Sequence, residues 1–146
     1  MQVATTAWGT LEISEGEVYH FSKGIPGFEQ ETEFALIEVE DSPFCYLQSV
    51  KDQNIGFLLS DPFLFYPSYE FELSDAEAEE LGIEGKLIVR CMVTLKNPMT
   101  DSTMNLLAPL VLNPENHSAK QIVLHQSGYQ PRHRLWNQET NTKSGE

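Results

Sequence analysis

KLIVRCMVTLK, residues Lys86–Lys96, decides the fold. Leu87, Val89, Cys91, Val93 and Leu95 recur at every second position, while Arg90, Thr94 and Lys96 take the intervening ones. In an extended chain successive side chains point to opposite faces, so this spacing predicts a half-buried β-strand. Working outward, the same alternation recurs in WGTLEI (8–13), EVYHFS (17–22), FALIEV (34–39), FCYLQSV (44–50), IGFLLS (55–60), MNLLAPLVLN (104–113) and KQIVLH (120–125). Turn chemistry separates the runs at Glu15-Gly16, Pro26-Gly27, Ser42-Pro43, Asp61-Pro62, Asn97-Pro98 and Asn113-Pro114. The connections are too short for crossover helices, so the sheet is read as mainly antiparallel. The expected fold is all-β, a small β-barrel-like or sandwich domain.

One short helix interrupts the strands. Ser74 precedes DAEAEEL, Glu77 stands three residues further on, and Gly82 follows Leu81, which together supply an N-cap, a capping box and a left-handed C-terminal residue. Residues 1–136 are expected to form a single domain. NQETNTKSGE, residues 137–146, offers nothing apolar to bury and is expected to be a disordered tail.

The formal net charge is −13, which repels phosphate backbones and argues against direct nucleic-acid binding. It is unevenly spread, at −16 over residues 1–85 and +3 over residues 86–146. That asymmetry fits an acidic interaction surface and equally a solvated face kept for solubility. Cys45 and Cys91 show no C-x-x-C spacing and lie in apolar runs, so they are read as reduced, buried hydrophobes. The amino terminus lacks a secretory pattern and no apolar run reaches membrane-spanning length, which implies a cytoplasmic protein without membrane association.

The search for chemistry returns little. There is no G-x-S-x-G elbow and no P-loop, and His20, His117, His125 and His133 are too far apart for a metal motif. GIPGFE (24–29) is too constrained by proline to cradle phosphate through successive amides. No catalytic residue, metal or cofactor is therefore expected, and a ligand-binding or enzymatic β-barrel is the alternative reading. A structural module that oligomerises through its sheet edges is a third.

The unusual stretch is DPFLFYPSYEFELSD (61–75), five aromatic rings and four carboxylates without a basic residue. Pro67 is disfavoured in a central strand, and Tyr69, Phe71 and Leu73 alternate with Glu70 and Glu72, so an edge segment is expected. Most of its rings should enter the core, with Tyr66 and Tyr69, which carry polar tips, as the better surface candidates.

GIPGFE (24–29), FCYLQSV (44–50), DPFLFYPSYEFELSD (61–75), NLLAPLVLN (105–113) and QIVLHQSGYQPRHRL (121–135) together closely resemble the bacterial flagellar assembly factor family, FliW. The likeness runs from about residue 1 to 136 in order. It implies a small barrel-like domain without catalysis and two protein partners, flagellin and the translational repressor CsrA, the carbon storage regulator. The implied mechanism is a partner switch in which export of flagellin frees the factor to bind CsrA and relieve repression of flagellin translation. The acidic face could cover the RNA site of CsrA or act on it allosterically, and the resemblance favours the second. The residues expected to meet CsrA are Asp61, Tyr66, Tyr69, Glu70 and Glu72, which join charge to apolar area. For flagellin the expectation falls on the loop 97–105, with Asn97, Met99, Asp101 and Met104, and on Arg132 and Arg134 near the tail.

Overall fold

The computed structural model describes residues 1–125 and 127–136. The expected tail, 137–146, lies outside the described residues. Eleven strands are present among those described: β1 (Gln2–Thr5), β2 (Gly9–Glu12), β3 (Val18–Phe21), β4 (Glu33–Glu38), β5 (Phe44–Ser49), β6 (Gly56–Ser60), β7 (Ile88–Thr94), β8 (Thr103–Met104), β9 (Leu110–Asn113), β10 (Ser118–Gln121) and β11 (His133–Arg134). Two helices stand between β6 and β7, α1 (Pro62–Phe65) and α2 (Asp75–Leu81).

Seven strands close into a barrel in the order β7-β6-β5-β4-β3-β10-β9, and β9 returns to β7. Every pairing is antiparallel except β3 with β10. Closure leaves these strands no long free edge. β8 and then β11 extend from β7 beyond the barrel, and β1 with β2 forms a separate hairpin.

Alternation explains what fills the barrel. Tyr19 and Phe21 of β3, Phe34 and Leu36 of β4, Cys45 and Leu47 of β5, Phe57 and Leu59 of β6, Leu110 and Leu112 of β9, and Ala119 of β10 share one apolar cluster, joined by Ile88 and Met92 of β7. Cross-strand partners such as Leu36 with Leu47 and Cys45 with Leu59 sit opposite one another in it. Interior positions of so small a barrel are filled by side chains.

The intervening positions build a second cluster on the outer wall. Val89, Cys91 and Val93 of β7 and Val111 of β9 pack there with Tyr69, Leu81, Met104, Leu106, Ile122, Leu124 and Leu135. β7 therefore has apolar packing on both faces. The half-buried strand expected for residues 86–96 is corrected accordingly, and Leu87 and Leu95 lie outside its bounds and exposed. The hairpin β1-β2 covers a third, smaller cluster of Val3, Ile13, Val18 and Ala35.

Two expected strands are redrawn by local chemistry. In 104–113, the Asn105 side chain accepts from the N–H groups of Leu107 and Ala108, both at 3.1 Å, and turns the chain before Pro109, so β8 and β9 are separate. In 120–125, β10 ends at Gln121, and Ile122 and Leu124 leave the barrel wall for the outer cluster. The helix α2 matches expectation: Ser74 Oγ accepts from Glu77 N–H at 3.1 Å, and Gly82 closes it with φ of 65°. GIPGFE is a tight turn whose Ile25 is buried in the barrel cluster. Gly24 there has φ of +66°, and a Cβ at that position would stand 2.6 Å from the Glu29 backbone.

Candidate functional site

The segment 61–75 lies across the outer wall beside β7, and its local chemistry explains its path. Asp61 Oδ1 accepts from the Phe63 N–H at 2.9 Å, and Pro62 occupies the first helical position, so the chain makes one turn of helix over Pro62–Phe65. The turn expected at Asp61-Pro62 is thus a single turn of helix, in addition to α2. Because it is helical, Phe63, Leu64 and Phe65 do not alternate: Phe65 is half-buried, while Phe63 and Leu64 are 42% and 62% exposed.

Beyond the turn at Pro67-Ser68 the chain alternates in exposure from Tyr69 to Ser74, as an extended chain does, without joining a ladder. Tyr69 anchors it. Its hydroxyl donates to the Leu106 carbonyl at 2.8 Å, and its ring meets those of Phe63, Phe71 and Tyr129 at 5.8, 5.6 and 4.7 Å. Tyr69 is 3% exposed, which corrects its expected surface position: a buried acceptor satisfies the phenol, so the polar tip does not need water. Burial pushes the Tyr69 phenol above its ordinary pKa. Tyr66 is half-buried, its hydroxyl donating to the Arg134 carbonyl and its ring 5.6 Å from His133. Asp61 is committed to its cap. Of the five residues expected to meet CsrA, Glu70 and Glu72 are the exposed pair.

The extended stretch forms a ridge between two clefts. One, of about 430 Å³, is lined by Phe63, Leu73, Leu87 and Val89 and is largely apolar. The other, of about 500 Å³, lies between Glu70–Ser74 and Ile122–His125, with Glu77 at its margin. Charge and exposed apolar surface thus meet on one face. Sequence reasoning missed Leu87 and Val123 as surface residues because each sits in an apolar run that reads as core, and both are exposed, at 37% and 45%. A helical rather than alternating reading of 62–65 would have brought out Leu64.

The residues expected to meet flagellin converge in part. β8 pairs with β11, placing Thr103 opposite Arg134, and Arg134 Nη2 lies 3.3 Å from Asp101 Oδ1. The loop and the tail-proximal segment are therefore neighbours. Asn97, Met99, Asp101 and Arg132 are exposed, but Met104 is 0% exposed, a correction with a clear cause: it faces Val93 across the β7–β8 pairing and enters the outer cluster.

Cys45 and Cys91 are free and buried, on the inner and outer clusters, and burial pushes their thiols up to about 11 and about 12. Thiolates are correspondingly scarce at neutral pH. His133 Nε2 accepts from the Gln130 N–H at 2.9 Å, and burial lowers its pKa. Among the described residues no group of three or more His, Cys, Asp or Glu is placed to hold a metal ion, and no helix is long and apolar enough to cross a membrane.

The family model described as "FliW protein" matches residues 2–135. The flagellar assembly factor FliW of Geobacillus kaustophilus is 42% identical over 138 residues, covering 93% of this chain and 96% of that one. That of Bacillus subtilis strain 168 is 42% identical over 136 residues, covering 91% and 95%. A crystal structure of the flagellar assembly factor FliW superposes with a TM-score of 0.87 at 38% identity, covering 95% of this chain and 99% of its own. A closed barrel with this cover, matched over nearly all its length by these relatives, belongs to the FliW family of flagellar assembly factors.

Proposed function

We propose that this flagellar assembly factor works in the cytoplasm as a protein-binding regulator, without catalysis, switching between flagellin and CsrA. When flagellin is exported, the freed protein engages CsrA and relieves repression of flagellin translation. One observation carries the CsrA half of this reading: Glu70 and Glu72 are both in solvent on the ridge, and Glu70 lines one cleft with the exposed apolar side chains of Phe63 and Leu87. An RNA-binding protein must present a basic surface to phosphates, and a carboxylate-rimmed apolar face complements such a surface. Asp61 and Tyr66 support the ridge, and Tyr69 holds it from below. For flagellin the proposed surface comprises Met99, Asp101, Arg132 and Arg134, a reading supported by the β8–β11 pairing and the ion pair of Arg134 with Asp101.

The test is calorimetric titration of the Glu70→Lys and Glu72→Lys variants against CsrA. Affinity should fall about tenfold for the double variant at low ionic strength, with the difference shrinking as salt rises. Unchanged affinity at low salt would remove this ridge from the CsrA surface.

A further inference from the structure

The cleft between Glu70–Ser74 and Ile122–His125 has an unusual inventory of main-chain groups. In an extended chain alternate residues direct their N–H and C=O groups to opposite edges. Ile122 and Leu124 donate their N–H groups to the carbonyls of Pro109 and Leu107, at 2.9 and 2.8 Å. The groups of Val123 therefore face the other edge, toward the cleft that it lines. Across it, Glu70 N–H is held by the Tyr129 hydroxyl at 3.2 Å, so by the same alternation Glu72 directs its N–H and C=O groups to this edge, where they have no hydrogen-bond partner among the described residues. Two extended segments thus border an open cleft of about 500 Å³ with unused backbone.

The side chains specify what would fit between them. Phe71, Leu73, Ile122 and Leu124 pack into the outer cluster and give the cleft an apolar base. Glu70, Glu72 and Glu77 supply its charge, and no lysine or arginine lines it among the described residues. A helix satisfies its own backbone internally and would leave these groups unmatched. An added strand would match them, with main-chain bonds giving affinity and alternate side chains giving selectivity.

We propose that this cleft binds an extended peptide of alternating apolar and basic residues as an inserted β-strand, bridging Phe71–Leu73 and Val123–His125. The proposal deepens the reading of this face as a partner surface and rests on it. The probe is the octapeptide (Arg-Val)4, acetylated and amidated, titrated into the ¹⁵N-labelled protein. Saturable shifts should localise to the amides of Glu72 and Val123, with hydrogen exchange there slowed about tenfold or more. The same peptide N-methylated at every second residue keeps its charge and side chains but loses one bonding edge, and should bind about tenfold more weakly. Shifts spread over the acidic surface, equal binding of the N-methylated peptide, or equal binding of (Glu-Val)4 would each overturn the inserted strand. The peptide reports on the cleft alone and the CsrA titration on the proposed function, so either can fail while the other stands.

Discussion

Inside the barrel and on its outer wall the chain buries similar residues, yet it holds them in different ways. The interior cluster is enclosed by seven strands whose ladders close on themselves. The cover, from Asp61 to Gly85, Ile122 to His125 and Ser127 to Leu135, meets the same wall through a buried phenol, tilted and edge-on ring contacts, two helix caps and a few isolated main-chain bonds. Ladder bonds are cooperative and shielded, whereas side-chain anchors fail one at a time. The difference teaches that one wall can support both a rigid scaffold and a surface able to adjust to another protein, since segments that bind are drawn from the less stable parts of a fold.

The largest expected effect would show whether the barrel governs the cover. Phe34→Ala removes a fully buried ring from the interior and should cost about 3–5 kcal/mol in urea unfolding, lowering barrel and cover together. If hydrogen exchange showed the cover unaffected, the two regions would be independent. Tyr69→Phe takes away one hydroxyl and leaves the Leu106 carbonyl unpaired, at about 1–3 kcal/mol. Here faster exchange should appear over residues 61–75, with the amides of Leu36 and Leu47 unchanged; equal loss in both would erase the distinction. Ser74→Ala deletes the cap of α2 and should cost about 1 kcal/mol, read as reduced helicity and a lower urea midpoint.

The smallest effect is a change of slope. Burial lowers the pKa of His133, so the folded state binds its proton less readily than the unfolded chain. The contribution is present above the unfolded value, about 6.5, and is lost as pH falls through it toward the folded value. His133→Gln keeps a side-chain acceptor near Gln130 but cannot titrate, so the loss of stability between neutral and mildly acidic pH should become shallower. An unchanged slope would place the acid sensitivity of the cover elsewhere.

Much of the barrel was legible because period-two alternation is a direct image of an inside and an outside. Phe34 with Leu36 and Cys45 with Leu47 needed nothing more. β7 was harder to read, since a strand covered on both faces has apolar residues at both parities, and Ile88 and Met92 were visible without revealing a second cluster. The short strands β1, β8 and β11 carry too few residues to show a period and exist because of their partners. At the candidate site, the carboxylates Glu70 and Glu72 were rightly read as outward-facing, because nothing in that stretch could neutralise them. Tyr69 and Met104 were misplaced for one physical reason: whether a residue in a loop-like stretch is exposed depends on which distant element lies beneath it, here Leu106 and Val93. The inward turn at Pro62 was written in Asp61-Pro62, an N-cap followed by a first-position proline, but a single helical turn leaves no periodicity to detect.

Among the described residues the one parallel pairing, β3 with β10, joins strands far apart in sequence, with His20 opposite Ser118. During synthesis β3 through β6 can zip as consecutive hairpins soon after they emerge, yet the cylinder stays open, with the interior faces of β3 and β7 uncovered, until β9 and β10 have been made. Closure between distant segments is slow relative to local pairing. A nascent chain that had not yet reached β9 and β10 would therefore hold a curled, sticky sheet, and the barrel becomes complete only once both have been added.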